Sequence, residues 1–217
     1  MTGARTAELR QPKQERSRRT FERIQEATLA LLRERGPDAF TLAEVCARAD
    51  ASMGAIYGRV SGKDELIRLL HGQELERIDA ATSAALDPAA HPTADLDGAV
   101  RHLVVTIGSV LRDNADVLRP FMLRAGTDPV ISDRGRTSHQ LMKDLYTATL
   151  LRHSGDIGHR DVGRAVAWSF SVVYSVLARR LGLGSTVEGA DENLTWESTL
   201  TELVATAVAY LRLTGQS

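Results

Sequence analysis

The residues best suited to binding chemistry lie between positions 16 and 63, where hydroxyls, small side chains and cations occur at short spacings. A hydroxyl or a cation at a helix end can donate to a phosphate oxygen, because the amides and the dipole of the helix already favour an anion. The candidates for contacts with a phosphate, or with the base edges beside it, are Arg16, Arg18, Arg19, Thr41, Arg48, Ser52, Met53, Gly54, Ala55, Tyr57, Arg59 and Lys63. These residues predict nucleic-acid binding, provided that helices present them on one surface.

Cap signals predict the first of these helices and the turn that follows it. Thr41 and Glu44 form a Thr-x-x-Glu capping box, in which the hydroxyl and the carboxylate each accept from an N–H at the helix start. The helix then places Val45 and Cys46 on an apolar face. Asp50 follows where the chain must turn, and Asp tolerates the left-handed backbone conformation better than most residues.

Two further helices are predicted after this turn. Ser52 is the expected N-cap of a helix with room for only five or six residues before Gly58. Ser61 and Asp64 repeat the hydroxyl-x-x-acid cap and predict the start of a long helix. Two short helices joined by a turn of small residues form a helix-turn-helix, which places its second helix in the major groove of DNA.

The segment from residue 16 to residue 70 resembles the DNA-binding domain of the TetR family of transcriptional regulators. The residues that match the family pattern in order and spacing are Thr41, Val45, Ala49, Ser52, Gly54, Ile56, Tyr57, Lys63 and Leu66. The departures are Cys46, Asp50, Ala51 and Val60, which replace the alanine, glycine, valine and phenylalanine of the family. The resemblance implies that Thr41, Tyr57 and Lys63 contact the DNA backbone, and that the protein is a repressor released by a small molecule.

Base reading is less specified than backbone binding. The short helix carries none of the arginine, asparagine or glutamine side chains that discriminate a base through two hydrogen bonds. Arg48 and Arg59 can reach either a base or a phosphate, so the operator sequence stays open. DNA shape and thymine methyl groups are the remaining sources of specificity.

The charge of the chain is divided between its two parts. The net charge is −1, but residues 1–70 hold 13 Lys and Arg against 10 Asp and Glu, and residues 71–217 hold 14 against 18. The positive excess predicts a flexible basic arm over residues 1–15, leading to Arg16, Arg18 and Arg19, which can contact a phosphate or the minor groove. For residues 1–12, a solvated and disordered terminus is the favoured alternative.

Beyond residue 70, apolar residues recur at steps of three and four, which predicts an all-α protein with a helical ligand-binding and dimerisation domain over residues 71–217. Breaks at Asp113-Asn114, at Pro129 and around Gly155 and Gly182 bound the helices. The predicted helices span residues 95–112, 114–125, 132–153, 160–182 and 193–213.

The last two of these helices carry broad apolar faces. The residues that form the faces are Val162, Ala165, Val166, Ser169, Val172, Val173, Val176 and Leu177 on one helix, and Leu200, Leu203, Val204, Ala207, Val208 and Leu211 on the other. Such faces can pair with a second subunit in a four-helix arrangement or close the core of one chain. The family resemblance favours a homodimer, which would bind a palindromic operator in double-stranded DNA.

A pocket between the helices of residues 95–182 is the expected place for an effector. The candidate lining residues are Leu103, Ile107, Leu111, Phe121, Met122, Leu141, Leu145, Tyr146, Trp168, Phe170 and Tyr174, each of which can equally be plain core. Their mixture favours an apolar or aromatic small molecule. The helix from Leu66 to Ile78 is the expected route by which such a ligand changes the DNA-binding state.

Other classes of protein receive less support from the sequence. A site formed by His153, Asp156, His159 and Asp161 is conceivable, but solvated side chains are favoured, so we expect no metal, cofactor or catalytic residue and no enzyme activity. The single cysteine and the lack of an apolar run of about 18 residues predict a cytoplasmic protein that does not enter the membrane. The main alternative is a helical module that binds a small molecule or a protein through its body, with a head that is silent toward DNA.

Overall fold

The computed structural model describes residues 4–184 and 195–214, with side chains described from Gln14 onward. Within these residues the structure is helical and contains no strand, which confirms the all-α prediction. The helices are α1 (Ala4–Arg35), α2 (Leu42–Ala49), α3 (Met53–Tyr57), α4 (Lys63–Ala85), α5 (Leu96–Asp113), α6 (Ala115–Ala125), α7 (Pro129–Leu151), α8 (Val162–Arg180) and α9 (Trp196–Arg212). A short 3-10 turn at Ser154–Asp156 separates α7 from α8.

The chain divides into two compact units, Met1–Gln73 and Glu74–Ser217, which we call the head and the body. The helix α4 contributes residues to both. Within the described residues, no helix combines the length and the apolar character needed to cross a membrane.

In the head, α1 packs against α2 and α3 around a small apolar core. Its fully buried side chains include Ile24, Val45, Ile56 and Leu66. The capping box is present as predicted, with Glu44 N–H donating to Thr41 Oγ1 at 3.2 Å and Thr41 N–H donating to Glu44 Oε2 at 2.8 Å. The short α2 is therefore fixed at its start by its own sequence and along its length by burial.

The turn between α2 and α3 contains the strained residue of the head. Asp50 has φ 47° and ψ 56°, the left-handed conformation that the sequence predicted. Its N–H donates to Cys46 O, and the next N–H, of Ala51, donates to the same carbonyl at 3.0 Å. A left-handed conformation costs an L-residue roughly 1–2 kcal/mol, so neighbouring contacts must hold the turn in place.

Two predicted caps differ from the structure. Ser52 stands before α3 but makes no side-chain hydrogen bond, because a helix of five residues has little need to satisfy buried amides that water can reach. At the start of α4 the acid that meets Ser61 is Glu65 rather than Asp64, with Ser61 N–H at 2.5 Å and Ser61 Oγ at 2.6 Å from Glu65 Oε2. The helix begins at Lys63, so the fourth residue after Ser61 reaches back to it.

The start of α1 also differs from the expectation of a flexible arm. The helix begins at Ala4 and therefore includes most of residues 1–15. Farther along, it is supported by ion pairs of Glu15 with Arg18 at 2.7 Å and with Arg19 at 2.9 Å, at the i,i+3 and i,i+4 spacings. Such pairs stabilise a helix in which the charged side chains remain solvated.

The body is built by packing α5 against α9 and α7 against α6 and α8. Gly108 permits the closest of these approaches, because a Cβ at this position would lie 2.8 Å from Leu200 Cδ2. The interior is lined by large side chains with less than 2% exposure, among them Leu103, Phe121, Tyr146 and Phe170.

The predicted helix limits in the body agree with the structure to within a few residues. The largest difference is the start of α7, which lies at Pro129 rather than residue 132. Asp128 caps this helix by accepting from Val130 N at 3.1 Å, and proline is well suited to the first helical position because its missing N–H has no partner there.

Candidate nucleic-acid interface

The exposed surface of α3 is the candidate DNA-reading surface of the head. Only Ile56 on this helix is buried, and it is fully buried. The other candidates on or beside the helix face outward: Ser52 and Gly54 are exposed, Ala55 is half-buried, and Met53 is 37% exposed. A five-residue helix anchored by one side chain thus presents nearly all of its remaining surface to a ligand.

Tyr57 lies at the end of this surface with 56% of its side chain exposed. The alternative interpretation, a tyrosine buried in the core, therefore does not apply. An exposed phenol at a helix end can donate its hydroxyl to a phosphate oxygen without any change in the packing of the head.

Lys63 is placed differently from the solvated lysine that was its alternative. Its Nζ donates to Phe40 O at 2.6 Å and lies 4.2 Å from the centre of the Phe40 ring. The side chain is half-buried, so it braces the connection between α1 and α2. An ammonium group has three N–H donors, and one of them can reach a phosphate while another holds the Phe40 carbonyl.

Thr41 has both of its donors engaged inside the capping box. The hydroxyl donates to Glu44 Oε2 at 3.0 Å and the backbone N–H donates to the same oxygen at 2.8 Å. The backbone N–H of Thr41, the Arg35 guanidinium and the Thr41 hydroxyl together hold the pKa of Glu44 below its usual range. A phosphate can contact Thr41 only by displacing this carboxylate.

The two arginines that were candidates for base reading also have internal partners. Arg48 forms a two-pronged ion pair with Glu34, both N–O distances being 2.6 Å, and this lowers the pKa of the Glu34 carboxyl. Arg59 donates to Ser17 Oγ at 3.1 Å and stacks on Phe21, with Cζ 4.5 Å from the ring centre. Both pairs are solvent-exposed, where an ion pair contributes little and an anion can compete for the cation.

The cations Arg16, Arg18 and Arg19 form an exposed row on α1. Arg18 donates to Glu15 and Glu22, its shortest contact with each being 2.7 Å and 2.6 Å, and the hydrogen bonds to Glu15 lower the pKa of that carboxyl. The row therefore supports its own helix and remains accessible from solvent.

Arg23 was missed as a site residue. Its Nε donates to Ala49 O and its Nη2 to Asp50 O, both at 3.0 Å, so that it bridges α1 to the turn between α2 and α3. The signal in the sequence was Asp50, since a left-handed residue at a helix end leaves carbonyls in need of donors. The sequence could not indicate which donor, 27 residues earlier, would meet them.

In the body, the candidate effector residues separate into three groups. Leu103, Ile107, Leu111, Phe121, Tyr146 and Phe170 are buried, Met122, Leu141, Leu145 and Tyr174 are half-buried, and Trp168 is 58% exposed. The structure brings Phe170 to 5.4 Å from Tyr146 and 5.8 Å from Tyr174, measured between ring centres. These three rings form an aromatic cluster between α7 and α8.

His139 completes the cluster and was also missed. Its ring lies edge-on to Phe170 at 5.3 Å and to Tyr174 at 4.5 Å. Burial and the nearby Lys143 lower its pKa, which favours the neutral imidazole. The signal was its spacing, because residues 139, 142 and 146 follow one face of α7.

Tyr146 is the most enclosed polar group of the cluster. Its hydroxyl shares a 2.7 Å hydrogen bond with Ser169 Oγ, and the side chain has no exposed surface. Burial raises the pKa of the Tyr146 phenol to about 12, an effect that the bond to Ser169 partly offsets. A neutral, satisfied phenol in an apolar wall can orient a ligand or simply fix the core.

The prediction that Trp168 lines the interior is wrong. The inward residues of α8 are Val166, Ser169, Phe170 and Val173, and helical spacing turns residue 168 to the opposite side. Trp168 instead borders a surface groove of about 90 Å³ between α8 and α9, whose other walls include Val172, Leu203 and Tyr210.

Most of the faces expected to meet a second subunit close the chain's own core. On α8 the buried members are Ala165, Val166, Ser169, Val173 and Leu177, and on α9 they are Leu203, Val204, Ala207 and Leu211. Val176 remains 36% exposed, and Val172 and Val208 are half-buried. The outward surface of the two helices is therefore narrower than the sequence indicated and is dominated by Trp168.

The residues considered for a metal have separate structural partners. His153 Nε2 lies 2.9 Å from Thr93 Oγ1, His159 Nε2 donates to Tyr210 O at 2.7 Å, and Asp161 caps α8. Throughout the part of the chain that the structure describes, no three His, Cys, Asp or Glu side chains are grouped to hold a metal ion. Cys46 is buried against Met53, and its burial raises the pKa of the thiol.

Comparison with known proteins gives two kinds of similarity. Residues 24–70 match the model of the family described as bacterial regulatory proteins, tetR family. The HTH-type transcriptional repressor KstR from Mycolicibacterium smegmatis is 38% identical over 71 residues, which are 33% of this chain. That match spans 35% of the length of KstR, so it concerns about a third of the relative.

Solved structures extend the similarity of fold to most of the chain. A bacterial regulatory protein in the tetR family from Rhodococcus RHA1 has a TM-score of 0.66 at 16% identity, covering 90% of this chain and 98% of that one. The transcriptional regulator FadR from Bacillus subtilis, solved in complex with stearoyl-CoA, has a TM-score of 0.65 at 11% identity, covering 88% and 98%. At these identities the structures establish a shared fold.

Proposed function

Because the chain belongs to the TetR family of bacterial regulatory proteins, we propose that it is a sequence-specific DNA-binding transcriptional regulator and acts as a repressor. The observation that carries the proposal is the outward surface of α3, which ends in Tyr57 with 56% of its side chain exposed. This helix follows a left-handed turn at Asp50, the geometry of a helix-turn-helix.

On DNA, α3 enters the major groove while the surrounding cations contact phosphates. Tyr57 and Lys63 bind the backbone from the two ends of the α3–α4 turn, and Arg16, Arg18 and Arg19 add electrostatic attraction. Met53 and Ala55 offer methyl groups to thymine, so specificity depends on apolar contacts and DNA shape more than on paired hydrogen bonds.

The functional unit in this proposal is a homodimer. Trp168 and the groove between α8 and α9 form an exposed apolar surface, which a second copy of the same surface can cover. A dimer brings two α3 helices to half-sites about one helical turn apart, and the operator is then a palindrome.

The effector in this proposal is an apolar or aromatic small molecule bound beside the cluster of Tyr146, Phe170, Tyr174 and His139. The similarity of fold to FadR, which was solved with stearoyl-CoA, supports a ligand with a large apolar part. Binding favours one arrangement of the DNA-binding units, and the continuous helix α4 carries the change. A differential affinity of about 1–3 kcal/mol lowers DNA affinity roughly 5- to 150-fold. The protein acts on DNA in the cytoplasm, and we assign it no catalytic role.

Selection of bound duplexes from a random DNA pool at physiological salt tests the function. We expect recovery of a palindrome with half-sites about one turn apart. Recovery of no sequence by folded dimer, both in buffer and after addition of a cell extract that supplies small molecules, would contradict the regulator. It would favour a binding module whose head is silent toward DNA.

The selected duplex then serves as the probe for the effector. Stearoyl-CoA and a series of free aromatic acids are added to the protein–duplex complex, and release is measured by fluorescence anisotropy. A replacement that fills the aromatic cluster, Tyr174→Trp, is expected to weaken release while DNA affinity without effector stays the same. Equal release from the variant would place the effector elsewhere.

A further inference from the structure

We infer that Arg23 is a positioning residue for DNA recognition, which fixes the angle at which α3 leaves α2; this inference rests on the proposed function. Its guanidinium donates to two successive carbonyls, Ala49 O and Asp50 O, each at 3.0 Å. Ala49 is the last residue of α2, and Asp50 is the left-handed residue that reverses the chain toward α3.

The two bonds act where the backbone needs them. The last carbonyls of a helix have no partner within the helix, and a cation near that end is favoured by the helix dipole. The planar fork of a guanidinium can hold two carbonyls at once, whereas an ammonium acts as a point charge. Arg23 extends from α1, so the turn is fixed relative to the longest helix of the head.

The position of the clamp coincides with a departure from the family pattern. Where the pattern has glycine, this chain has Asp50 at φ 47°. Glycine adopts this conformation without steric penalty, but a residue with a Cβ does not. Arg23 therefore holds by hydrogen bonds a turn that glycine would stabilise by its own backbone preference.

The geometry also separates Arg23 from the cations that we assign to phosphate. Its Nε and Nη2 face carbonyl oxygens of the turn, one bond being half-buried. A residue that positions α3 should change affinity for the operator without changing the number of phosphates neutralised. The salt dependence of binding measures that number directly, with a slope of about −0.9 per contact.

The test compares Arg23→Leu with Arg33→Leu, which removes another exposed arginine of α1. On the selected duplex, Arg23→Leu is expected to lose about ten-fold in affinity, as two net hydrogen bonds imply, with an unchanged salt slope. Arg23→Lys should recover part of the loss. A slope smaller by about 0.9 would make Arg23 a phosphate contact and overturn the inference.

A second pair of variants isolates the backbone effect. Asp50→Gly and Asp50→Ala remove the same charge, but only glycine favours the left-handed turn. Combined with Arg23→Leu, Asp50→Gly is expected to restore most of the operator affinity, and Asp50→Ala is not. Equal recovery by both would assign the effect to charge and contradict positioning.

A measurement without DNA keeps this inference separate from the proposed function. Amide hydrogen exchange over residues 50–58 should be about ten-fold faster in Arg23→Leu than in the wild type, and slower again when Asp50→Gly is added. Unchanged exchange in Arg23→Leu overturns the clamp even if the wild type selects a palindrome. If the wild type selects no duplex, the regulator is contradicted while faster exchange still supports the clamp on the turn.

Discussion

Two tyrosines summarise how the head and the body use the same side chain differently. Tyr57 in the head is 56% exposed at the end of α3, whereas Tyr146 in the body is fully buried and bonded to Ser169. The first can be altered without disturbing any packing, and the second cannot. In the head, therefore, binding groups can be separated from the groups that maintain the fold.

The cations of the head show where this separation is incomplete. Arg23 and Lys63 both donate to backbone carbonyls, so they maintain the geometry of the surface that they adjoin. In the body, the aromatic cluster combines core and candidate ligand wall in the same side chains. Variants that distinguish binding from folding are therefore easier to design in the head.

The largest effect is expected at the exposed surface of the body. Trp168→Glu places a charge where the proposed dimer buries an apolar ring, and it should give monomers at micromolar concentration. Operator affinity should fall at least about 100-fold, because the contribution of the second half-site is lost. Sedimentation velocity measures the first effect and fluorescence anisotropy the second.

The matched control is Leu123→Glu, which changes another apolar residue, 67% exposed on α6. It should remain dimeric and bind the operator normally. A dimer that survives Trp168→Glu with full affinity would place the interface away from the groove between α8 and α9.

The next largest effect is the pH dependence of Tyr146. Burial raises the pKa of this phenol to about 12 in the folded protein, above the ordinary value of 10. The resulting stability is fully present below pH 10 and is lost as the pH rises from 10 through 12. The two units correspond to about 3 kcal/mol in the free energy of unfolding.

Tyr146→Phe removes this dependence and leaves the Ser169 hydroxyl unpaired. The variant should be less stable than the wild type by about 1–2 kcal/mol at pH 8, and the difference should shrink as the pH approaches 12. Urea unfolding at a series of pH values provides the measurement. Parallel curves for the two proteins would show that the phenol is not protected from ionisation by the fold.

The contrast between head and body also shows which features the sequence could predict. The capping box of Thr41 and the left-handed Asp50 depend on residues close in the chain, and both were predicted. The direction of Trp168 was not, because Trp168 and Phe170 lie in one apolar stretch and only the packing of α8 decides which faces inward. The partner of Arg23 was hidden for the same reason, since 27 residues separate it from Asp50.

Lys63→Ala should have a smaller and mixed effect. Loss of the bond to Phe40 O is expected to lower the free energy of unfolding by about 1 kcal/mol. If the ammonium also contacts a phosphate, the salt slope of operator binding decreases by about 0.9. Lys63→Arg keeps the charge and should preserve the slope. An unchanged slope in Lys63→Ala would make the residue an internal brace only, like Arg23.

The smallest effect is expected for Tyr57→Phe, which removes one hydroxyl from an exposed ring. Operator affinity should decrease about three- to ten-fold, as expected for one hydrogen bond to a charged phosphate oxygen. The decrease should be the same for every duplex, because a backbone contact carries no sequence information. The free energy of unfolding should stay unchanged, since the hydroxyl already faces water. A loss confined to duplexes that differ at one base pair would instead assign Tyr57 to base reading, and α3 would then read its operator from its last residue as well as from Met53 and Ala55.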